Sequence, residues 1–142
     1  MGPRSLIVLS FLATMTILSC RKERFITSSD ATIGLSVDTL RFDTVFTSTG
    51  PVTGAIKIFN TNNDRLRIDR ITLAGGDHSS FRINADGVPG PEATSLEIGG
   101  RDSLYLFVTV SIDPGAQALP FLVRDSIGIS FNGNERKVQL EA

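Results

Sequence analysis

The most regular pattern in the chain is an alternation of apolar and polar positions over residues 103–113, SLYLFVTVSID. One phase is entirely aliphatic and consists of Leu104, Leu106, Val108, Val110 and Ile112. The other phase consists of Tyr105, Phe107, Thr109 and Ser111. Because successive side chains point to opposite faces of a strand, a period of two over this length predicts a half-buried β-strand.

A second alternation lies near the end of the chain and indicates a hairpin. One phase of residues 121–131 consists of Phe121, Val123, Ile127, Ile129 and Phe131. Asn132-Gly133 follows, and apolar residues then alternate with polar residues over 137–142. Because Asn and Gly both tolerate the positive φ of a tight turn, the last two strands are predicted to pair antiparallel.

Shorter apolar segments extend the strand pattern through the middle of the chain. They cover residues 55–60, 66–73, 80–84 and 95–98, and segments rich in Gly, Asn, Asp and Pro separate them. The alternation shifts by one between Ile68 and Ile71, which predicts a bulge or a strand that passes between two sheets. Seven or eight short strands at this spacing predict an all-β fold, an immunoglobulin-like antiparallel β-sandwich, with a closed barrel as the alternative.

Asp125 departs from this alternation because it shares the phase of the apolar residues Val123 and Ile127. An unpaired carboxylate in the core would be costly. The pattern therefore favours a bulge that rotates Asp125 outward, and the alternative is a hydrogen-bonded carboxylate near the edge of the sandwich.

Three aromatic residues fall at positions that face outward in the predicted strands. Tyr105 and Phe107 occupy the outward phase of the longest strand, and Phe59 lies out of phase beside Ile58. Together they predict an exposed interaction patch, because a large apolar patch on a monomer commonly marks a contact site. The alternative is that loops cover these rings or that a shifted register buries them.

The N-terminal residues have the composition of a secretory signal that ends in a lipidation site. Residues 6–19 carry no charge but are too few for a membrane-spanning helix, and Arg4 supplies a positive start. Ile17-Leu18-Ser19-Cys20 resembles the bacterial lipobox, which implies cleavage before Cys20 and a diacylglycerol on its thiol. A plain secretory signal or a buried structural thiol is the alternative.

The domain boundaries follow from this interpretation. We predict a lipoprotein signal peptide at 1–19, the lipidated cysteine and a flexible tether at 20–34, and one sandwich domain at 35–142. The whole chain has 14 basic and 15 acidic residues, so its charge is nearly balanced, which argues against binding to nucleic acid. Cys20 is the only cysteine, so the lipidated chain would keep no thiol for a disulfide, a nucleophile or a metal.

The remaining polar residues form no recognisable catalytic or metal centre. His78 is the only histidine, and Ser79 and Ser80 are too close to it in sequence to align as nucleophiles with an oxyanion hole. Asp77 and His78 have no third zinc ligand at a recognisable spacing, and no aspartates follow the order of a calcium loop. The sequence therefore predicts no enzymatic activity, catalytic residue, metal or cofactor.

Several segments resemble a known branch of the immunoglobulin superfamily. They are IKIFNTNNDRLRIDRITLAGGDHSSFRI, SLEIGGRDSLYLFVTVSIDP and a closing hairpin, within residues 35–142. This succession resembles the Hydin-type, major-sperm-protein-like domains. LRFDTVFTSTG, IDRITLAGG and VRDSIGISFNGN are more specifically similar to the N-terminal domain of a group of Bacteroidota lipoproteins. The resemblance implies an interaction or spacer module and provides no catalytic residues to carry over.

These inferences together predict a non-enzymatic lipoprotein of the cell envelope. It would be anchored in the outer membrane, on either the periplasmic side or the cell-surface side. Its expected partners are the membrane, through the lipid on Cys20, and an envelope protein or a downstream domain, through Phe59, Tyr105 and Phe107. A glycan-binding module is the alternative. It is disfavoured because such modules stack sugars on exposed Trp or Tyr, and the chain has no Trp and one Tyr.

Overall fold

The computed structural model describes residues 24–43, 50–112 and 122–142. The predicted signal peptide at 1–19, the lipidation site Cys20 and the core position Phe121 lie outside these residues.

The described residues form ten β-strands and one short 3-10 turn, Gly76–His78. The strands are β1 Ile33–Leu35, β2 Thr39–Arg41, β3 Val52–Asn60, β4 Leu66–Leu73, β5 Phe81–Ala85, β6 Val88–Gly90, β7 Glu92–Ile98, β8 Ser103–Val110, β9 Arg124–Phe131 and β10 Asn134–Glu141. The predicted all-β sandwich is therefore confirmed. The strands exceed the expected seven or eight because β1, β2 and β6 have three residues each, too few to show a period.

The strands form two five-stranded sheets rather than a closed barrel. The first sheet, named here the β8 sheet, has the order β1-β3-β8-β5-β6, and the second, the β9 sheet, has the order β2-β10-β9-β4-β7. All strand pairs are antiparallel except β2 with β10, which run parallel with Leu40 opposite Leu140. The predicted antiparallel hairpin of the last two strands is confirmed.

The core lies between the two sheets and contains the aliphatic phase that the alternation predicted. Val108 and Ile56 of the β8 sheet and Ile127 of the β9 sheet are fully buried. The remaining aliphatic residues of β8 that face inward are Leu104, Leu106 and Val110. The register predicted for β8 is therefore correct, and burial of apolar side chains from both sheets is the main source of stability.

The predicted phase shift in β4 is present, but its cause is different from the two predicted ones. Asp69 and Arg70 are both exposed, whereas Ile68 and Ile71 are buried. The neighbouring strand β7 shifts at the same level, where Ser95 has a φ of 57°. The register is the same on either side of the shift, so neither a one-residue bulge nor a change of sheet occurs.

The domain begins earlier than residue 35, and the flexible tether predicted for 20–34 is wrong for residues 24–34. Phe25 forms a bridge parallel to Arg65, just before β4. The Arg65 amide donates to the Arg24 carbonyl at 2.9 Å, and the Ile26 amide donates to the Arg65 carbonyl at 2.9 Å. Farther along, Ala31 is buried in the core.

Two asparagines at the β9–β10 hairpin hold this N-terminal segment. The Asn132 side-chain amide donates to the carbonyls of Ile26 at 2.9 Å and Ser28 at 3.0 Å. The Asn134 amide donates to the carbonyl of Ser29 at 2.8 Å. Because side chains rather than a strand neighbour supply these bonds, the segment needs no alternating pattern of its own.

The buried polar residue Asn60 joins the turns at one end of the sandwich. Its amide nitrogen lies 2.9 Å from the Asp64 carbonyl, 3.1 Å from that of Ile98 and 2.8 Å from that of Gly99. The β3–β4 and β7–β8 turns are therefore linked, and we call this end, where Phe25 also lies, the proximal end. The distal end carries the loop over residues 74–80 and the start of β9.

Candidate functional site

The outer face of the β8 sheet exposes three aromatic rings. Phe59 is 37%, Tyr105 49% and Phe107 44% exposed to solvent. The prediction that these rings lie on the outer surface is therefore confirmed, and neither a covering loop of the described residues nor a shifted register buries them.

The three rings form a continuous surface with one lysine among them. The centroids of Tyr105 and Phe107 are 6.0 Å apart with the planes 14° from parallel. The Lys57 ammonium lies 5.2 Å from the centroid of Phe59 and 5.2 Å from that of Tyr105. We call these four side chains the aromatic row. Ring stacking and cation–π attraction each stabilise such an arrangement by roughly 0.5 to 1.5 kcal/mol.

The residues opposite two of the rings are short, and the strands around the aromatic row carry no acidic residue. The register places Ala55 opposite Phe107 and Gly34 opposite Phe59, so short residues leave the rings open. The outward positions in the five strands of the β8 sheet include the cations Lys57 and Arg82 and no carboxylate. This face is therefore apolar with a positive charge, and no anion on its strands neutralises Lys57.

The outer face of the β9 sheet is covered by ion pairs. Glu141 lies 3.0 Å from the Arg41 guanidinium and 3.2 Å from that of Arg124. Glu97 lies 3.0 Å from Arg65 and 3.5 Å from Arg67. The hydrogen bond from Arg41, together with the positive charges of Arg41 and Arg124, lowers the pKa of Glu141 below its ordinary value.

A cleft of about 410 Å³ at the distal end contains the residues that a hydrolase interpretation would use, His78, Ser79 and Asp125. Asp125 is not rotated outward by a bulge, because β9 and β10 keep one register with Asp125 opposite Leu140. The predicted bulge is wrong, and the alternative of a hydrogen-bonded carboxylate is correct.

The Asp125 carboxylate fastens the distal loop to β9. It accepts hydrogen bonds from the Gly75 amide at 3.1 and 3.2 Å, from the Ser126 amide at 2.7 Å and from the Ser79 hydroxyl. A Cβ at Gly75 would lie 2.6 Å from a carboxylate oxygen of Asp125, so a larger residue there would displace this carboxylate from its hydrogen bonds.

This arrangement does not assemble a catalytic triad. The Ser79 hydroxyl donates directly to Asp125 and accepts from the Phe81 amide at 3.1 Å, so no imidazole stands between serine and carboxylate. A triad needs the histidine in that position to remove the proton from serine. The bonds of Ser79 and Asp125 instead fix the conformation of a loop.

A second cleft, of about 310 Å³, lies at the proximal end beside the N-terminal segment. Phe25 is 40% exposed there, and the guanidinium carbons of Arg65 and Arg67 lie 5.8 and 5.0 Å from its ring centroid. The Asp69 carboxylate accepts from the Asn132 amide at 3.0 Å. This cleft could not be predicted from the sequence because the segment around Phe25 has no apolar periodicity.

Across the part of the chain that the structure describes, no three His, Cys, Asp or Glu side chains are grouped so that they could hold a metal ion. Among the same residues, no helix has the length and apolar character needed to cross a membrane.

Solved structures of other proteins share this fold. A protein of unknown function from Porphyromonas gingivalis W83 matches with a TM-score of 0.54 at 19% identity, over 87% of this chain and 49% of that one. A family 123 glycoside hydrolase from Clostridium perfringens matches at 0.52 and 11% identity, over 78% and 26%. The E. coli chaperone DraB matches at 0.51 and 10% identity, over 84% and 55%. No protein-family model and no curated protein sequence matches the chain.

The chain spans about half the length of the Porphyromonas protein and of the chaperone, and about a quarter of the glycoside hydrolase. At these identities the likeness shows a shared β-sandwich fold. It does not indicate an activity. The immunoglobulin-like fold implied by the resemblance is therefore supported, whereas its Hydin-type, major-sperm-protein-like assignment and its Bacteroidota origin stay predictions.

Proposed function

We propose that this chain is a lipid-anchored, non-enzymatic module of the bacterial cell envelope that docks another protein through the aromatic row. The observation that carries the proposal is the row itself, three half-exposed rings and Lys57 on a sheet face whose strands bear no carboxylate. Aromatic residues dominate the energetics of protein interfaces because they bury a large area at little entropic cost.

The charge of the face specifies the partner more closely. Docking removes water from Lys57, and an uncompensated buried charge is costly. A partner surface that combines apolar side chains with a carboxylate opposite Lys57 would offset that cost and add specificity. The partner class is therefore an acidic and apolar protein surface, either on a separate envelope protein or on a downstream domain.

The anchor is the second part of the proposal. The uncharged segment 6–19, the sequence that resembles a lipobox and the single cysteine support lipidation of Cys20. Two or three acyl chains hold a protein on a membrane stably, at about 0.8 kcal/mol per buried CH₂. We place the chain at the outer membrane, on either its periplasmic or its surface side.

Photo-crosslinking in the intact envelope tests the docking face. A benzoylphenylalanine at position 107 should form a protein adduct, whereas the same residue at Lys137, on the outer face of the β9 sheet, should form none. Phe107→Ser should abolish adducts from a probe at Phe59. Adducts of equal yield from positions 107 and 137, or none from either, would contradict the docking role.

Thermal unfolding of Phe107→Ser separates docking from stability. The variant should lose adducts while keeping its midpoint within about 5 °C of the parent, which corresponds to roughly 1 kcal/mol in a domain of this size. A larger fall of the midpoint would mean that the ring stabilises the fold. Adducts could then be lost through unfolding, so their loss alone would not demonstrate docking. The probe at position 107 then decides the question.

The anchor has its own test. Cys20→Ala should abolish fatty-acid labelling and shift the chain from the membrane fraction to the soluble fraction. Labelling that persists in the variant would refute lipidation at Cys20, without bearing on the aromatic row.

A glycan-binding module is the second candidate, and the nearly parallel rings of Tyr105 and Phe107 favour it because sugars stack on flat aromatic surfaces. Binding on a glycan array that Tyr105→Ala removes would support it over protein docking. The absence of Trp and the presence of Lys57 among the rings make it the weaker candidate.

A further inference from the structure

We infer that the sandwich stands upright on a phospholipid bilayer, with its proximal end against the headgroups and the aromatic row facing along the plane of the membrane. This inference rests on the proposed lipidation of Cys20 and adds the orientation of the domain. It replaces the predicted flexible tether, which would have lifted the domain away from the membrane and left its orientation unrestricted.

The first argument is the length of the connection. Arg24 is fixed to the sandwich by the hydrogen bond from the Arg65 amide at 2.9 Å. Arg24 lies four residue steps after Cys20 in the sequence, and an extended chain advances at most about 3.6 Å per step, so the two Cα atoms are at most about 14 Å apart. Whatever the conformation of the connection, the lipid therefore holds this part of the domain close to the bilayer.

The second argument is where the chain joins the fold. Phe25 forms its bridge with Arg65 at the proximal end, and the chain at Phe25 runs parallel to the chain entering β4. The strand β4 has eight residues and extends about 26 Å from there toward the distal loop, at about 3.3 Å per residue. A Cys20 within about 14 Å of Arg24 can therefore reach the bilayer while the domain is upright, an orientation in which the distal loop is the part farthest from the lipid.

The third argument is the chemistry of the proximal end. Phe25 is the exposed ring nearest to Cys20 in sequence, and Arg65 and Arg67 lie against it. Aromatic rings favour the headgroup level of a bilayer, and the exposed guanidinium of Arg67 can contact anionic lipids there, although Glu97 lies 3.5 Å from it. The Asn132 bonds to the carbonyls of Ile26 and Ser28 hold the segment in place, so Phe25 presents a fixed surface to the membrane.

The position of this surface keeps the docking face away from the bilayer. Arg67, which lies over Phe25, is exposed on the β9 sheet, whereas the aromatic row is on the opposite outer face of the sandwich. The lipid anchor and the aromatic row therefore belong to different sides of the domain. An upright domain can hold both at once, one on lipid and the other on a neighbouring protein.

Three single-cysteine variants of the full lipidated chain test the orientation. They are Asp64→Cys at the proximal end, Asp77→Cys at the distal end and Ala55→Cys beside the aromatic row. Each is labelled with a maleimide fluorophore, which cannot react with Cys20 once its sulfur is a thioether. The labelled proteins are reconstituted into phosphatidylethanolamine–phosphatidylglycerol vesicles that contain a headgroup-linked nitroxide quencher.

The upright orientation predicts loss of fluorescence for the label at position 64 and retention at positions 77 and 55. Equal quenching at 64 and 77 would overturn it, because the domain would then lie on its side. Strongest quenching at 55 would also overturn it, because the aromatic row would then rest on lipid. A chain that fails to float with vesicles refutes the proposed anchor instead, so the two failures are distinguishable.

Asn132→Gly in the Asp64→Cys chain tests the role of the docked segment. Asn132 has a φ of 46°, which glycine adopts without strain, so the hairpin remains while the two bonds to the segment are lost. The quenching at position 64 should fall toward that at position 77. Unchanged quenching would show that the two Asn132 bonds do not set the orientation of the domain.

Discussion

The outer face of the β8 sheet carries exposed rings where the outer face of the β9 sheet carries ion pairs. Both sheets have five strands, and both bury an aliphatic phase against the other. On the β9 sheet arginines lie beside carboxylates, as Arg41 and Arg124 lie beside Glu141. On the β8 sheet Lys57 lies between two rings instead.

The difference shows that the outward residues of the two sheets are constrained less than the inward ones. Inward residues are similar on the two sheets because both fill the same core, whereas outward residues are constrained only by what they meet. Burying an ion-paired face in an interface would remove water from its charges, a cost that exceeds the Coulombic gain in many proteins. Burying rings is favourable, and for this reason we propose docking through the β8 sheet and not through the β9 sheet.

The largest expected effect tests whether the β8 sheet truly has one buried and one open face. Val108→Asp places an unpaired charge in the core and should destabilise the domain by about 3 to 5 kcal/mol, enough to unfold much of it. Thr109→Asp changes the neighbouring, outward residue, which bonds the Thr53 hydroxyl at 2.8 Å, and should cost about 1 kcal/mol or less. Chemical denaturation measures both, and equal losses would contradict the assigned register.

An intermediate effect is expected when a carboxylate is added to the outer face of the β8 sheet, whose strands carry none. Ala55→Glu introduces a carboxylate beside Phe107 and should reduce partner crosslinking about tenfold, equivalent to roughly 1.4 kcal/mol of binding. Gln139→Glu adds the same charge to the outer face of the β9 sheet and should leave crosslinking unchanged. Both should keep the free energy of unfolding within about 0.5 kcal/mol. Equal crosslinking by the two variants would remove the distinction between the faces.

The smallest effect concerns the ion pairs of the β9 sheet. Since its folded-state pKa is lowered, Glu141 contributes stability that is complete above the ordinary value of 4.5 and is lost as the pH falls through the lower folded value. Glu141→Gln should therefore lower the thermal midpoint slightly at neutral pH and not at all in strong acid. At neutral pH, high salt should reduce the difference in thermal midpoint between Glu141→Gln and the parent, because salt screens the charges. A difference that persists in acid would mean that packing, and not charge, is responsible.

The sequence predicted those parts of the fold that depend on local alternation. The core of β8, the Asn132-Gly133 hairpin and the outward position of Tyr105 and Phe107 all follow from a period of two, and each is confirmed. The aromatic row was accessible to prediction for the same reason. Its lysine was not, because the contacts of Lys57 depend on the pairing of β3 with β8.

Two of the wrong predictions, the bulge at Asp125 and the flexible tether, involve partners far away in sequence. Asp125 needs no bulge because Gly75 and Ser79 satisfy it from 50 and 46 residues away. The segment predicted as a tether is fixed by Asn132 and Asn134 from more than 100 residues away. Bonds of this kind leave no periodic trace, since each depends on one side chain and not on a repeating face.

The parallel pairing of β2 with β10 has a mechanical consequence. Gln139 donates to the Asp38 carbonyl at 3.0 Å and Phe42 donates to the Glu141 carbonyl at 2.8 Å, so bonds at both ends of β2 join it to β10. A tensile load that pulls β2 backward and β10 forward acts along the strands, in shear. These bonds then share the force and fail together, whereas an antiparallel hairpin pulled from its open end loses its bonds one after another. A load that enters the domain through β2 and leaves it through β10 would therefore be resisted by this short strand pair.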